Sequence, residues 1–345
     1  MTGRARRRVT GPPTLPQSSA PSAITDRIPS GTRDVLPDEM RELRAMTDRI
    51  RGVFDRAGYG ELYTPALEYE TTFARSDMPT TRPAYRMFDE HGNVLVLRSD
   101  MTIPIARVVA TRYAHAPPPL RFCYFAHAYR GVRPQRGQSR EFLQAGVELI
   151  GAPAPDGTAE ALSVLCAALD AAGLRNYRVG LGQASLYPAL LDALEVSREH
   201  HEPLLAHLAR GDFVALEAHV ESLELDLEHA QLLLRVPHTR GGPDTLDGLQ
   251  PPLRDAVAGM RELRELLAPE VAERVIFDLG LVRSIGYYTG AVFQVYDPAH
   301  GVPIGSGGRY DELLGRLGRP LPAVGFALNV ERVHIALTGE ERDRR

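Results

Sequence analysis

The chain contains no lysine: every residue in its Lys+Arg total of 40 is an arginine. A lysine Schiff base, a general-base lysine and a phosphate loop built on lysine are therefore excluded. Cysteine is scarce, with only Cys123 and Cys166, which show neither metal-ligand spacing nor a disulfide framework. No apolar run approaches the roughly 18 residues of a membrane span, and no apolar segment follows the basic start as in a secretory signal. An excess of basic charge is missing too, since the formal net charge is −4, whereas a chain that works by gripping nucleic acid usually carries a basic footprint. These absences lead to the expectation of a cytoplasmic protein without metal or cofactor.

With 345 residues and a hydrophobic fraction of 43%, the chain can bury one large core or two smaller ones. Residues 1–27 are rich in Arg, Pro, Ser and Thr and read as a disordered tail, because they hold too little apolar surface to offset the entropy of ordering. Pro37 suits the first turn of a helix. Met40, Leu43, Met46, Ile50, Val53, Phe54 and Ala57 continue it as an apolar stripe until Gly58. Glu61 to Leu67 reads as a strand that Pro65 confines to an edge or an interface. Further strands are expected at Val94–Leu97, Phe122–Arg130, Ser139–Ile150, Tyr177–Gly180, Val275–Leu279 and Tyr288–Tyr296. Helices are expected at Met101–Tyr113, Thr158–Ala172, Asp311–Leu317 and about Ala327–Leu337. Residues 186–267 are mostly helical and form an expected insertion subdomain between core segments 28–185 and 268–345. On their own, Gly307 and Gly308 mark a turn. The class is α+β: a mainly antiparallel sheet with flanking helices and a helical insertion.

Five stretches carry a resemblance. The first helix with the Pro65 strand, the segment from Arg121 to Gly151, and Ala323-Val-Gly-Phe-Ala-Leu-Asn-Val-Glu-Arg332 resemble, in order, the three motifs of class II aminoacyl-tRNA synthetases. Leu281-Val-Arg-Ser-Ile-Gly-Tyr-Tyr288 and Ser306-Gly-Gly-Arg-Tyr-Asp311 resemble stretches specific to the histidine enzyme. Each motif is weak alone; five in the right order are strong. The resemblance implies a class II synthetase-like antiparallel sheet and a pocket for L-histidine. In that pocket Asp100 and Thr102 would face the ammonium with Gln144 nearby, Arg130 would approach the carboxylate, and Glu148, Tyr287 and Tyr288 would frame the imidazole. Arg283 matches an arginine that assists catalysis in the synthetase. Gln144 and Glu148 lie four apart on a presumed strand and so share a face. A zwitterion with an imidazole needs such a set of acceptors, hydroxyls and a cation.

Two departures separate the chain from the synthetase. Val132 stands where the second motif carries a glutamate for the adenine amino group, and valine accepts no hydrogen bond. The chain also stops at Arg345, soon after Arg332, so neither an anticodon-binding domain nor tRNA is expected. Leu97-Arg-Ser-Asp-Met-Thr102, Gln144-Ala-Gly-Val-Glu148 and Tyr287-Tyr-Thr-Gly290 resemble the synthetase's paralogue family, the regulatory subunits of ATP phosphoribosyltransferase in histidine biosynthesis. That family implies a non-catalytic subunit, homodimeric within a hetero-oligomer, partnered by a short-form catalytic subunit and mediating feedback by histidine. The rival is a histidyl-tRNA synthetase-like ligase that lacks the anticodon domain. Two other signals are weaker. Gly180-Leu-Gly182 is an incomplete dinucleotide fingerprint. His200 and His201, between Glu199 and Glu202, read as a solvated helix surface, since adjacent helical residues do not share a face.

Overall fold

The computed structural model describes residues 28–75, 84–131, 139–247, 249, 253–281 and 287–343. The expected tail of residues 1–27, Val132 and Arg283 lie outside these. In chain order the strands are β1 (Gly60–Glu61), β2 (Leu67–Tyr69), β3 (Arg86–Phe88), β4 (Val94–Leu97), β5 (Leu120–Tyr129), β6 (Glu141–Ile150), β7 (Arg178–Gln183), β8 (Arg240–Gly241), β9 (Val275–Asp278), β10 (Ala291–Asp297), β11 (His300–Arg309) and β12 (Ala323–Asn329). Among the described residues, nine make one sheet in the order β1-β5-β6-β12-β11-β10-β7-β9-β8, and β2-β4-β3 form a small second sheet. The large sheet is antiparallel from β5 through β7, with parallel pairs where β1 meets β5 and β7 meets β9. The expected α+β architecture is the observed one.

Alternation along the strands divides the sheet into two faces. One face carries Ala145, Val147 and Leu149 of β6 with Val324, Phe326 and Leu328 of β12, all buried in the main core. The helices Pro37–Arg56, Asp156–Ala172 and Val330–Asp343 cover it. Phe54 of the first helix meets Phe326 edge-on at 5.9 Å and Phe125 at 5.8 Å. Gly173 ends the second of these helices in the left-handed conformation at φ 114°, as its place after the apolar stripe predicts. The other face carries Phe122, Tyr124 and Ala126 of β5 and packs a smaller core with Met101, Ile105, Tyr287, Tyr310 and Leu313. This second face holds the candidate site.

Between β7 and β9 the chain runs through the helices Leu186–Ala193, Arg198–Arg210, Phe213–Glu221, Leu227–Arg235 and Leu253–Glu265. Leu190, Leu204, Leu233 and Val257 from these helices are buried in the same cluster as the sheet's helix-covered face. The stretch also returns β8 to the sheet edge beside β9, a strand its composition did not announce.

Three local expectations need correction. Glu61–Leu67 is not one strand: β1 pairs with β5 in the large sheet and β2 with β4 in the small one. Pro65 has no N–H to continue a ladder. The carbonyls of Thr64 and Pro65 instead accept from the Arg98 guanidinium, at 2.6 and 3.1 Å. Gly307 and Gly308 do not mark a turn but sit inside β11, pairing with Phe326 and Gly325. They occur in a strand because large side chains lie against them. The C-terminal helix starts at Val330, later than the Ala327 expected, and Asn329 closes the strand by accepting from the Arg332 N–H at 2.9 Å.

Candidate functional site

The site is built on a row of β6. Phe142, Gln144, Gly146 and Glu148 alternate with core residues and so point to the open face. Their partners on β12, Asn329, Ala327 and Gly325, share that face, as do Ala126, Tyr124 and Phe122 on β5. Small residues in the middle of the sheet let large side chains lie close against it. A Cβ on Gly325 would stand 1.8 Å from Glu148 Oε2, and one on Gly308 would stand 2.6 Å from the Tyr288 ring. Glycine at these two positions is therefore required by close approach, not by backbone conformation.

Glu148 is 1% exposed and is held from two sides. Thr102, at the start of the Thr102–Thr111 helix, donates its hydroxyl to Oε1 at 2.8 Å, and Tyr310, just past β11, donates to Oε2. Burial pushes the Glu148 acid up to about 8 against the pull of these two donors, and neighbouring Asp100 adds to the rise. Tyr287 lies in hydrogen-bonding contact with Thr102, and its own acidity is suppressed, first by burial. Its ring meets Tyr288 at 5.0 Å and Tyr310 at 5.6 Å, both edge-on. Asp100 caps the helix by accepting from the Ile103 N–H at 3.2 Å. That helix is anchored to the small sheet by a two-point pair of Arg107 with buried Glu68, at 2.8 and 2.6 Å.

Gln144, one step beyond Gly146, is 6% exposed, and its Oε1 has no hydrogen-bond partner among the described residues. A buried amide oxygen left unmatched in this way is costly unless something supplies a donor. At the far end of the row the Arg130 guanidinium lies over the Phe142 ring at 4.5 Å, and its backbone N–H donates to Arg140 O at 2.8 Å. The face thus runs from a cation at one end, past an amide, to paired hydroxyls, a carboxyl and three tyrosines at the other.

Thr102, Glu148, Tyr287 and Tyr288 come together as one cluster; Asp100 adjoins it, and Gln144 and Arg130 continue the row. Arg283 lies outside the described residues. Tyr310 is the member sequence reasoning missed, although it sits inside the Ser306–Asp311 stretch. Its neighbours are structural: buried Arg309 donates to Asp311 at 2.9 Å and to Ala152 O at 2.8 Å, and Asp311 accepts from the Ala323 N–H at 3.0 Å. This clip fixes the backbone on both sides of Tyr310 and aims its ring at Glu148. Arg332, which the third motif presents, donates to Pro303 O at 2.8 Å, and burial lowers its pKa. Of the histidine pair considered on the helix surface, His200 meets His219 at 3.0 Å and His201 meets Val196 O at 2.9 Å. No metal-binding group of three ligands occurs among the described residues, and no described helix is long and apolar enough to cross a membrane.

Sheet order and helix placement define the class: a class II aminoacyl-tRNA synthetase-like protein. The family model for histidyl-tRNA synthetase matches residues 31–333. The chain is 39% identical to an ATP phosphoribosyltransferase regulatory subunit of Desulforamulus reducens and 41% identical to one of Symbiobacterium thermophilum. Each match covers 90% of this chain and 79% of the relative. A solved structure described as an ATP phosphoribosyltransferase regulatory subunit/histidyl-tRNA synthetase from Bacillus halodurans superposes with a TM-score of 0.83 at 35% identity, covering 92% of this chain and 84% of that one. The chain belongs to the family of ATP phosphoribosyltransferase regulatory subunits, within the histidyl-tRNA synthetase fold family.

Proposed function

We propose that this protein is the regulatory subunit of an ATP phosphoribosyltransferase and binds L-histidine on the open face of its sheet. The catalytic step, joining ATP to phosphoribosyl pyrophosphate, belongs to a short-form partner subunit, and histidine acts as feedback inhibitor. The observation that carries this reading is the row from Arg130 through Gln144 to Glu148. Its unmatched Gln144 oxygen and hydroxyl-braced Glu148 carboxyl suit a ligand with a carboxylate at one end, donors in the middle and an imidazole at the other. Asp100, Thr102, Tyr287 and Tyr288 complete the set, and Arg283 is assigned to it from its motif. For control, histidine must bind two states of the complex with different affinity, and a coupling of roughly 1–3 kcal/mol is typical.

A homodimer through the first motif is part of the proposal. Tyr63, Leu67, Tyr69, Met87 and Phe88 leave apolar side chains in water on and beside the small sheet, a patch that pairing of two copies would cover. The deciding experiment mixes the purified chain with a short-form ATP phosphoribosyltransferase from the same source and follows phosphoribosyl-ATP formation with and without histidine. Activity that requires both chains and falls with histidine is the expected result. A chain that neither co-elutes with that enzyme nor changes its rate overturns the proposal, and histidine-dependent adenylate formation would then favour the ligase reading.

A further inference from the structure

Among the described residues, the Glu148 carboxyl has no fixed counter-cation within hydrogen-bond reach. Thr102 and Tyr310 are its hydrogen-bond partners, and both are neutral hydroxyls. Among the described residues, the ionisable groups coupled to it are Asp100 before the Thr102–Thr111 helix, Tyr59 before β1, Tyr124 on β5, Tyr287 before β10 and Tyr310 after β11, with Tyr288 against Tyr287. Each of these is neutral or negative at neutral pH. From β12 the carboxyl lies against Gly325, where an added Cβ would stand 1.8 Å from Oε2. Arg130 stands at the opposite end of the row, over Phe142. A carboxylate that is 1% exposed, with no cation beside it among the described residues and with a second carboxylate near, is a costly species, and protonation is the usual relief.

We infer that the pocket binds its ligand around one shared proton: Glu148 is the neutral acid in the empty pocket and hands its proton to the ligand's ring nitrogen on binding. The inference rests on the histidine reading above and specifies the charge state in which that ligand is held. The Glu148 O–H bond breaks, an N–H bond forms on the imidazole, and the product is an imidazolium–carboxylate pair. No proton is exchanged with water while Glu148 starts protonated and the free imidazole starts neutral. A pocket built this way selects a basic ring over a non-basic ring of the same shape, because only the basic ring can take the proton.

The proton count gives the test. Histidine binding is followed by calorimetry in buffers of different ionisation heat at about pH 5.5, 7 and 8.7. These bracket the ordinary imidazole value of roughly 6.5 and the Glu148 value of about 8. Near pH 7 the expected net exchange is close to zero. At the acid end close to one proton is released, because free ligand and free pocket each bring one and the complex keeps one. At the alkaline end the wild type takes up close to one proton. Glu148→Gln takes up only what the ligand ammonium requires, and the difference between the two proteins isolates Glu148. Affinity should be flat between the two values and fall by up to about tenfold per pH unit outside them. Ring-labelled 15N-histidine bound to the wild type at neutral pH should show imidazolium shifts, a readout that stands even if the variant fails to fold. Uptake of a full proton at pH 7, no Glu148-dependent uptake at the alkaline end, or a neutral bound ring would overturn the inference while leaving histidine binding intact. Absence of any binding heat at all three pH values would remove the ligand assignment and the inference together.

Discussion

Tyr310 and Glu148 lie 162 positions apart in the chain, and the tyrosine hydroxyl donates to the carboxyl in the centre of the open face. The contact joins the end of β11 to the C-terminal part of β6, across the strand that separates them. Replacing Tyr310 with Phe leaves Glu148 with Thr102 as its one donor among the described residues. The expected result is a fold that persists and a histidine affinity reduced by about 1 kcal/mol, roughly fivefold. Calorimetric titration beside the wild type measures it, and an unchanged affinity removes Tyr310 from the pocket.

Gly325→Ala tests the floor of the site. The new methyl would meet Glu148 Oε2 at 1.8 Å and Val147 O at 2.6 Å, so either the carboxyl moves or β12 does. Overpacking of this kind costs typically 1–3 kcal/mol. The variant should melt lower, and added histidine should no longer raise its melting temperature. A variant that keeps the full histidine-dependent shift would show that Glu148 does not need its present position.

Asp297 at the end of β10 and Glu340 near the end of the last helix bury two carboxyl groups against each other, 3% and 1% exposed. Glu340 also accepts from the backbone N–H groups of Arg175 and Asn176, at 3.0 and 2.8 Å. Burial first, and then Glu340, raises the Asp297 pKa above its ordinary value. The folded state therefore binds a proton that the unfolded chain gives up. That contribution to stability is fully present below the ordinary aspartate value of 3.8 and is lost as pH rises through the raised value. Asp297→Asn should flatten this decline with rising pH. Urea unfolding at several pH values reads the slope, and a variant with the wild-type slope would exclude the pair as its source.

Arg98 organises the crossing between the two sheets. Its guanidinium, 3% exposed, donates to His127 O at 2.8 Å, Thr64 O at 2.6 Å and Pro65 O at 3.1 Å. Arg98→Met keeps much of the volume and strands these carbonyls. A buried acceptor without a donor costs about 1–3 kcal/mol, so a loss of several kcal/mol is expected in denaturant unfolding. A loss within the scatter of surface substitutions, about 0.5 kcal/mol, would mean that water replaces the guanidinium.

Much of this molecule follows from local pattern. The stripe expected from Met40 requires a helix with one apolar face, and from Leu43 to Phe54 that face is buried, while Met40 is exposed. The alternation from Glu141 to Ile150 commits Gln144 and Glu148 to one side and Val147 and Leu149 to the other, and period-2 geometry leaves no other arrangement. Gly173 ends its helix because glycine accepts the left-handed conformation at little cost. Composition alone excludes lysine chemistry.

Tertiary structure decided what depends on atoms brought from elsewhere in the chain. Gly307 and Gly308 read as a turn because glycine's lack of a side chain suits turns. They lie in a strand because Phe293 and Tyr288 occupy the space a Cβ would fill. Pro65 divides a run that looks continuous, and the two parts join different sheets only because Arg98 collects the intervening carbonyls. Tyr310 looks like one more packing aromatic until the Arg309–Asp311 clip aims it at Glu148. The charge state of Glu148 is likewise invisible in sequence: it is set by burial, by two donors and by Asp100, and each of these is a relation across the fold.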